Sequence, residues 1–583
     1  MSPARWGLAA LAAGLGLRLW GLDFGLPNPL CRPDEAVLLN RALAVAGGDL
    51  NPHFFNYPSL HIYVLAVCLG LWGLVGWVGG LYAGPPDFLY KYLTDATAVF
   101  VTGRLVTVAM GVASIGLAYA LGRRLGGRRA GPLAAGFLAV APLHVRDSHF
   151  ATVDVPVTCW ILLAYYLCWR YLESGRSRDL WWSAAALGLA VSTKYSAALF
   201  APALVAAPLL RPRRGGSAAE LPWRDLGIAV ACLAGAFLAG TPWAVLDPAA
   251  FWGGVAFEGG HFAAGHLTGS PAGAAAFEGS WLHHLRVSLW HGPGWPVAVA
   301  GWAAVVWLGR RRRPEDLVLL SGAGLYLAVA SAGSTQFLRY ALPLIPLQCV
   351  MAGALLARLG QRRRPSWTVL AAVLGLAPAA WASWHGDRLL AAEDTRVAAA
   401  RWVEEHVPAG QVVALTGSEY GHPRLRHSRA WLAERLADLR RAGAPARRLA
   451  LQLEWHERQP HPGYYTVELR PPGPAPLGSV RDPGTVAELR AAGVTWLITS
   501  VHPLPYSRLG APLAGELEGV EPRAAFEPAP SWSGARFDPI DAFYVPYAGF
   551  TGVTRPGPAI RIYRLADVSS QPPPPRSGRP RSG

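Results

Sequence analysis

Long apolar runs separated by short polar linkers fill the first part of the chain, up to about residue 385. Each run could lie in a bilayer, although several are shorter than the roughly 20 residues that a perpendicular helix needs. The runs cover residues 5–22, 98–121, 130–146, 156–172, 180–193, 195–210, 226–244, 286–308, 316–333, 338–358 and 367–384. The pattern predicts a polytopic α-helical membrane protein with about 11 transmembrane helices, some of them broken.

Arginine-rich linkers occupy every second connection between these runs. They lie at residues 123–129, 176–178, 211–214, 310–313 and 362–364. Cytoplasmic loops carry an excess of arginine and lysine, so this alternation predicts a cytoplasmic N-terminus and an extracytoplasmic position for everything after residue 385. A bacterial inner membrane is the expected location.

One further apolar stretch, residues 60–81, does not fit this alternation. Counting it as a single crossing would move all five arginine clusters to the outside, against the bias that membrane proteins follow. We therefore expect an interfacial or re-entrant helix, or an even number of crossings, in the first outer loop.

Hydropathy falls after residue 386, and helical and strand patterns begin to alternate. Helices are predicted at Asp394–Glu405, Ser428–Ala442 and Thr485–Ala492, and strands at Gln411–Leu415, Leu449–Trp455, Tyr464–Leu469, Thr495–Ser500 and Ala559–Leu565. The chain is thus expected to have a transmembrane domain over 1–385, an extracytoplasmic α/β domain over 386–567, and a disordered Pro/Arg-rich tail over 568–583.

Composition supports the membrane interpretation, since 52% of residues are hydrophobic and 15% are charged. The net charge of +16 comes almost wholly from arginine, because Lys91 and Lys194 are the only lysines. The arginines cluster between apolar runs, where they are typical of contacts with anionic lipid, so nucleic-acid binding is not expected. The six cysteines lack paired spacing, which argues against a disulfide framework or a zinc site.

Two loops predicted to lie on the same outer side hold most of the candidate chemistry. In the first, Asp34 and Glu35 begin a helical pattern that ends at Gly47-Gly48; they could cap the helix and complement its dipole, or act as functional carboxylates. The second loop is dense in titratable groups and could simply be a solvated loop. It contains His144, Arg146, Asp147, His149 and Asp154.

Six motifs in order resemble the protein O-mannosyltransferase family and its bacterial relatives. They are Asp34-Glu35, Asn56-Tyr57-Pro58-Ser59-Leu60, Arg104, the stretch from Arg146 to Asp154, Thr193-Lys194-Tyr195, and Arg339-Tyr340-Ala-Leu-Pro343-Leu-Ile-Pro346. That superfamily has the GT-C fold and includes aminoarabinose transferases acting on lipid A. The resemblance covers about residues 5–385 and implies a membrane glycosyltransferase that uses a polyprenyl-phosphate sugar and inverts its anomeric centre.

The resemblance also implies roles for individual residues. Asp34 matches the position of the family's general base, while Glu35 and Asp154 would shape the acceptor and sugar pockets or hold the base in place. Lys194 and Arg339, with Arg104 as a third candidate, would stabilise the carrier phosphate. Lys194 could instead snorkel to the interface, and Arg339 could anchor a helix end. The residues expected to bind substrate are Arg104, His144, Arg146, Lys194, Tyr195, Arg339 and Tyr340.

The long outer loop between residues 247 and 286 contains several possible metal ligands. They are Glu258, His261, His266, Glu278, His283 and His284. The histidine pairs lack the i, i+4 spacing of a helical metal motif, so solvated histidines are favoured and no metal site is predicted. No cofactor is predicted, with a divalent cation left open.

The expected partners are a polyprenyl-phosphate-linked sugar, an acceptor that is a protein, a lipid or a polysaccharide, and membrane lipids. Two other functions compete with the transferase. A transporter or flippase of lipid-linked sugars would also need intramembrane charge, although the chain has no evident internal repeat. A non-catalytic cell-envelope assembly protein would bind through its outer domain.

Overall fold

The chain folds into a helical membrane part followed by a small α/β domain. The computed structural model describes residues 2–211, 223–264, 281–362, 365–470, 480–481, 484–504, 507 and 509–568. The predicted tail therefore lies outside the described residues, except for residue 568.

The membrane part is built from helices and a few short turns. Its α-helices are α1 Pro3–Leu19, α2 Pro33–Ala46, α3 Leu60–Val78, α4 Pro85–Thr94, α5 Thr97–Gly126, α6 Ala130–Ala139, α7 Pro142–Asp147, α8 Asp154–Ser174, α9 Ser177–Val191, α10 Ala201–Leu210, α11 Trp223–Gly240, α12 Trp243–Leu246, α13 Pro248–Ala264, α14 Leu289–His291, α15 Trp295–Arg311, α16 Pro314–Ala332, α17 Leu344–Arg362 and α18 Pro365–Leu390. Short 3-10 turns span Pro29–Cys31, Tyr195–Phe200 and Leu338–Ala341, and a π-helical turn spans His284–Ser288.

Seven helices of the described part are long and apolar enough to cross a membrane. Six coincide with predicted spans, namely α5, α8, α11, α16, α17 and α18. The other five predicted spans contain helices of 10 to 17 residues, as expected of broken spans. Pro142 starts the new helix α7 within one such run, because its ring cannot continue the preceding helix.

The seventh long helix is α3, whose ends both lie on the face of the bundle that carries the C-terminal domain; we call this the domain face. At its start, the Leu60 N–H donates to the Ser192 carbonyl at 3.1 Å, at the end of α9. Beyond its end, Tyr92 of α4 donates to Asn40 of α2 at 2.8 Å. These contacts keep α2, α3 and α4 together on the domain face; α3 is itself long and apolar enough to cross a membrane, and its interfacial position stays a prediction.

The arginine-rich helix ends gather at the opposite face of the bundle, which we call the basic face. Arg124 at the end of α5 forms an ion pair with Glu173 at the end of α8. At the end of α15, the Trp307 ring lies between Arg311 and Arg358, at 4.5 and 5.5 Å. Packing of the Arg311 and Arg358 guanidinium groups on an aromatic ring is a favourable cation–π contact.

The C-terminal domain is a six-stranded sheet with helices on both faces. The strands are β1 Val412–Thr416, β2 Tyr465–Arg470, β3 Val480–Arg481, β4 Trp496–Val501, β5 Ala524–Phe526 and β6 Ala559–Arg564, in the order β3-β2-β1-β4-β6-β5. Strands β3, β2, β1 and β4 run parallel, and β6 and β5 are antiparallel to their neighbours. The helices are α19 Thr395–His406, α20 Arg429–Arg441, α21 Arg447–Arg458, α22 Val486–Ala491 and α23 Ala511–Glu516.

One predicted strand is wrong, because residues 449–455 belong to helix α21. The alternation of Leu449, Leu451 and Leu453 imitates a strand, but the segment is rich in Arg, Leu, Gln and Glu, which are good helix formers. It packs against α20 rather than pairing in the sheet. Strands β3 and β5, of two and three residues, were not predicted.

Aromatic packing joins the C-terminal domain to the helix bundle. The rings of Phe24, Phe150 and Phe543 meet edge to face, with centroids 5.2 to 5.8 Å apart. Phe543 belongs to the segment between β5 and β6, residues 527–558, which we call the β5–β6 connection. All of this segment is described, and it contains no regular helix or strand. It lies on the domain face and brings polar side chains to it.

Candidate functional site

The start of α2 sets the position of Asp34. The N-cap of this helix is Arg32, Pro33 fills the first position, and Asp34 follows in the first turn. No side chain caps the helix, so the capping interpretation of Asp34 is wrong. The Asp34 carboxylate instead lies 2.9 Å from the Arg339 guanidinium, and its side chain is 33% exposed.

Arg339 is the centre of the charged cluster. It lies in the 3-10 turn Leu338–Ala341, which precedes α17, and its side chain is only 6% exposed. Besides Asp34, it approaches Asp154 at 4.0 Å and Asp541 at 3.4 Å. A guanidinium has five N–H donors in a planar fork, so it can serve several carboxylates at once.

Lys194 is held by a carboxylate rather than extended towards the interface. Its ammonium lies 2.6 Å from Asp154, the first residue of α8, and 4.7 Å from the centre of the Tyr340 ring. The lysine stands in the break between α9 and the turn Tyr195–Phe200, which directs it into the bundle. The snorkelling alternative is therefore not supported.

The C-terminal domain contributes Asp541, which the sequence analysis missed. Its carboxylate lies 2.6 Å from Arg32 and 3.4 Å from Arg339. Burial alone would raise the pKa of Asp541, but Arg32 and Arg339 hold it at about 2. Nearby, Asp538 accepts the Leu338 N–H at 2.9 Å, and burial together with Asp541 raises its pKa to about 6.

These residues form what we call the Arg339 cluster, in which three cations face three carboxylates. The members are Arg32, Lys194, Arg339, Asp34, Asp154 and Asp541. Burying so much charge is costly unless each group is paired, and here the charges balance. No regular spacing links Asp541 to the others; its acidic neighbour Asp538 and the flanking aromatics were the only signals.

An open cavity of about 660 Å³ lies beside Asp34 and Arg339. Its size suits a ligand of one to a few sugar units, since small-molecule sites usually span about 300 to 1,000 Å³. The wall is completed by Val37, Phe54, Asn56, Tyr57, Ala256, Phe257, Glu258, Gly260, His261, Phe337 and Tyr340. Burial raises the pKa of Glu258, which faces this cavity from α13.

The structure places two predicted site residues behind the cavity instead of in its wall. Glu35 and Arg104 form two hydrogen bonds with each other, at 2.9 and 2.7 Å, and their side chains are 0% and 1% exposed. Glu35 also accepts the Ala151 N–H at 2.8 Å, and Arg104 donates to the Leu22 and Phe24 carbonyls. This arrangement, which we call the Glu35–Arg104 clasp, joins α2 and α5 to both outer loops.

His144 also lies away from the cavity. Its Nδ1 is 2.9 Å from the Arg18 guanidinium, deep between α1 and α7. Arg18 further donates to the Ser148 hydroxyl and to the Ala139 carbonyl, so this group joins helices. Arg146 pairs with Asp147 at 2.9 Å and faces the β5–β6 connection, 5.4 Å from the Phe543 ring.

The two predicted tyrosines lie near Lys194. Tyr340 lines the cavity and presents its ring to the ammonium. Tyr195 donates to the Phe55 carbonyl at 2.9 Å and so supports the loop that carries Asn56 and Tyr57. Among the described residues there is no group of three or more His, Cys, Asp or Glu arranged to hold a metal; His266 and Glu278 lie outside them.

Comparisons with known proteins agree with this architecture. Residues 93–245 match the sequence profile of a family described as dolichyl-phosphate-mannose-protein mannosyltransferase. The chain is similar to the crystal structure of ArnT from Cupriavidus metallidurans bound to undecaprenyl phosphate, with 16% identity, a TM-score of 0.50, and 97% of this chain and 99% of that chain covered. A comparison with curated proteins gave no match.

The chain is also similar to the archaeal oligosaccharyltransferase AglB from Archaeoglobus fulgidus, in complex with an inhibitory peptide and a dolichol-phosphate. Here the identity is 11%, the TM-score is 0.45, and 85% of this chain and 69% of that chain are covered. The match to ArnT establishes the fold. The chain is an integral membrane protein of the GT-C fold that resembles the mannosyltransferase family, as predicted.

Proposed function

We propose that this protein is a glycosyltransferase that moves a sugar from a polyprenyl-phosphate carrier to an acceptor hydroxyl at the domain face. The observation that carries the proposal is the position of Asp34. It is a partly exposed carboxylate on the wall of a sugar-sized cavity, in contact with a buried cation that can also receive a phosphate. The family match and the undecaprenyl phosphate in the ArnT structure support the carrier's chemical class.

In the proposed reaction, Asp34 takes the proton of the acceptor hydroxyl as the oxygen attacks the anomeric carbon of the sugar. The bond between that carbon and the phosphate oxygen breaks, and the polyprenyl phosphate leaves with the bonding electrons. Attack from the face opposite the phosphate inverts the anomeric centre. Arg339 and Lys194 stabilise the negative charge that grows on the departing phosphate.

The sharing of Arg339 among three carboxylates has a role in the proposed reaction. The Arg339 cluster is already neutral, so an arriving phosphate adds negative charge and competes with the carboxylates for the guanidinium. When Arg339 turns to the phosphate, Asp34 loses its ion-pair partner and its carboxylate is left free to accept a proton. The proton that Asp34 then accepts removes one negative charge from the site.

Asp34 suits the role of base better than Asp154 does. The Asp154 carboxylate is 5% exposed and is bonded to Lys194 at 2.6 Å, so it orients that lysine. Glu35, within its clasp, is a positioning residue for α2 in this proposal, and Arg104 has the same role. Glu258, which lines the same cavity, is in place to bind sugar hydroxyls.

We also propose that the domain face is extracytoplasmic and that the membrane is a bacterial inner membrane. The position of the basic helix ends supports this orientation, because arginine accumulates on the cytoplasmic side. The donor would carry a hexose or a pentose, and the acceptor would be a protein, a lipid or a polysaccharide. A transporter of lipid-linked sugars would use the same cations but leave the glycosidic bond intact.

A transfer assay tests the proposal. The purified full-length protein in detergent would receive polyprenyl phosphates carrying radiolabelled sugars, together with solubilised envelope lipids and proteins as the source of acceptor, and the release of free carrier phosphate and of labelled product would be measured. We expect release by the wild type, release by Asp49→Asn, whose carboxylate is exposed in the same outer loop, and almost none by Asp34→Asn. Carrier binding without cleavage by the wild type, across hexose and pentose donors, would contradict the proposal.

A further inference from the structure

A second cavity, of about 600 Å³, lies between the first outer loop and the C-terminal domain. We call it the interdomain cavity. The membrane part contributes Pro27, Asn28, Pro29, Leu30, Ala36, Leu93 and Thr94 to its wall. Helices α19, α20 and α21, the segment 424–427 and His461 form the rest, so the ligand of such a cavity would touch both domains.

Arginine dominates the charge of this cavity, with five arginines and one glutamate in the wall. Three of the arginines have carboxylate partners within 3.3 Å. These pairs are Arg396 with Asp394, Arg401 with Glu393, and Arg426 with Glu404. Among the described residues, Arg424 and Arg448 form no ion pair, and Arg424 donates to the Leu93 carbonyl at 3.2 Å.

The two unpaired arginines repel each other. Burial, followed by the charge of Arg448, lowers the pKa of Arg424 to about 10, while Tyr92 and Asp95 oppose this shift. Both guanidinium groups line the same space, where Tyr92 and Asp95 offset only part of the effect on Arg424. A ligand bearing about two negative charges would relieve this repulsion, and a phosphate monoester carries about 1.5 to 2 at pH 7.

The remaining wall is largely apolar and aromatic, which a bare phosphate would not fill. The Trp431 ring is stacked on His427 with centroids 3.7 Å apart, and its Nε1–H donates to the Thr466 carbonyl at 2.9 Å. Trp455 packs on His461 at 4.4 Å. Fixed aromatic rings with a few charged groups are typical of sites for small organic ligands.

The interdomain cavity shares helix α2 with the Arg339 cluster. Ala36 lines the interdomain cavity, whereas Asp34 lines the cavity beside Arg339. Two residues along a helix correspond to about 200° of rotation, so the two cavities lie on opposite sides of one helix about 10 Å wide. A molecule anchored in the interdomain cavity would have to extend around α2, by about one helix diameter, to present a hydroxyl near Asp34.

We propose that the interdomain cavity binds a phosphate-bearing sugar unit of the acceptor, with Arg424 and Arg448 holding the phosphate and the aromatic side chains contacting the ring. The role of the bound molecule as acceptor rests on the proposed function, whereas the binding of a sugar phosphate does not. The cavity then anchors the acceptor while the hydroxyl to be glycosylated reaches Asp34. The C-terminal domain thereby contributes to acceptor choice.

A binding measurement tests the site apart from catalysis. The full-length protein in detergent would be titrated calorimetrically with trehalose 6-phosphate, with trehalose, and with inorganic phosphate. We expect trehalose 6-phosphate to bind at least about tenfold more tightly than either of the others, because only it engages both the arginines and the rings. If inorganic phosphate bound as tightly as trehalose 6-phosphate, the cavity would be a phosphate site that does not recognise sugar. If trehalose 6-phosphate did not bind at all, the proposal would be overturned.

Matched variants locate the binding. The double variant Arg424→Gln/Arg448→Gln should weaken trehalose 6-phosphate binding by at least about tenfold. Arg447→Gln, which removes an exposed charge next to Arg448 outside the cavity wall, should not. Thermal unfolding of each variant checks its folding; Arg448→Gln should not unfold at a lower temperature, because it relieves a repulsion. Unchanged affinity in the double variant would overturn the proposal.

If transfer activity is found, a second readout separates the two hypotheses. The double variant should raise the apparent KM for a phosphorylated acceptor while leaving carrier binding unchanged, because Arg339 and Lys194 are untouched. A protein that binds trehalose 6-phosphate through Arg424 and Arg448 but transfers no sugar would refute the proposed function and leave the sugar-phosphate site standing.

Discussion

Two ion pairs made by neighbouring residues of α2 differ in solvent exposure and in the number of carboxylates that the arginine contacts. The Glu35–Arg104 clasp has a separation of 2.7 Å and almost no exposure, and backbone groups of the surrounding loops complete its hydrogen bonds. The Asp34–Arg339 pair has a similar separation, 2.9 Å, but Asp34 is 33% exposed to a cavity and Arg339 serves three carboxylates. A closed pair fixes structure, whereas a shared cation can exchange one anion for another.

The largest expected effect is on turnover after Asp34→Asn. Loss of a general base slows a reaction by about 10² to 10⁴-fold, and asparagine preserves the size of the side chain. The measurement is single-turnover transfer, with carrier binding and thermal unfolding as controls. If Asp34→Asn kept near-normal turnover while Asp154→Asn abolished it, the base would have to be sought in the second outer loop.

The next effect should appear in stability, after Glu35→Gln. This change leaves Arg104 buried without its carboxylate, which typically costs about 3 to 5 kcal/mol. Denaturant titration in detergent would measure the loss, with Glu173→Gln as the control because Glu173 pairs with Arg124 at an exposed position. Normal stability combined with lost turnover would favour the other role that the sequence analysis considered for Glu35, in which it shapes the acceptor or sugar pocket.

Smaller effects are expected from the cations of the Arg339 cluster. Lys194→Ala and Arg339→Ala should each weaken use of the donor more than use of the acceptor, by about 1.5 to 3 kcal/mol, or roughly 10 to 150-fold. Measuring the apparent KM for the donor and for the acceptor separates an effect on donor use from an effect on acceptor use. Wild-type donor affinity in both variants would assign these residues a purely structural role.

The smallest effect concerns Asp541, which competes with the carrier phosphate in the proposed mechanism. Asp541→Asn should lower the apparent KM for the donor by about three- to tenfold, because Arg339 is then freer to bind phosphate. The protein should also unfold at a lower temperature, since Arg32 loses its partner. Asp567→Asn, at an exposed ion pair of the same domain, is the control. A raised KM would mean that Asp541 orients Arg339 rather than competing for it.

The predictable features were those encoded by local pattern. Apolar length and arginine spacing gave the spans, and the alternation after residue 386 gave four of the six strands, with one false strand in α21. The motif residues Asp34, Asp154, Lys194 and Arg339 do meet in one cluster. Each lies where a predicted helix begins, ends or breaks, and such positions can be read from apolar runs and prolines.

The features that sequence could not supply depend on pairing across long separations. Of the adjacent residues Asp34 and Glu35, only Asp34 faces the cavity. Glu35 is turned away because it pairs with Arg104, which lies 69 residues further along the chain. The sequence predicted His144 as a substrate-binding residue, but in the structure it contacts Arg18, 126 residues away. Asp541 contacts Arg32, which lies 509 residues earlier in the chain. Asp541 belongs to a connection without regular structure, so no periodic pattern in the sequence predicts this contact.

The β5–β6 connection has a consequence for how this protein can be cut and recombined. Because it carries Asp541 to Arg32 and Arg339, and Phe543 to Phe24 and Phe150, the covalent boundary between the domains is not a functional boundary. A truncated chain ending near residue 390 would keep every helix of the membrane part, yet Arg32 would lose its carboxylate partner and Arg339 would keep two of its three carboxylates. A chimaera that exchanged the sheet and its helices would succeed only if it retained residues 527–558. In engineering terms, the natural unit of exchange is the membrane part together with this connection.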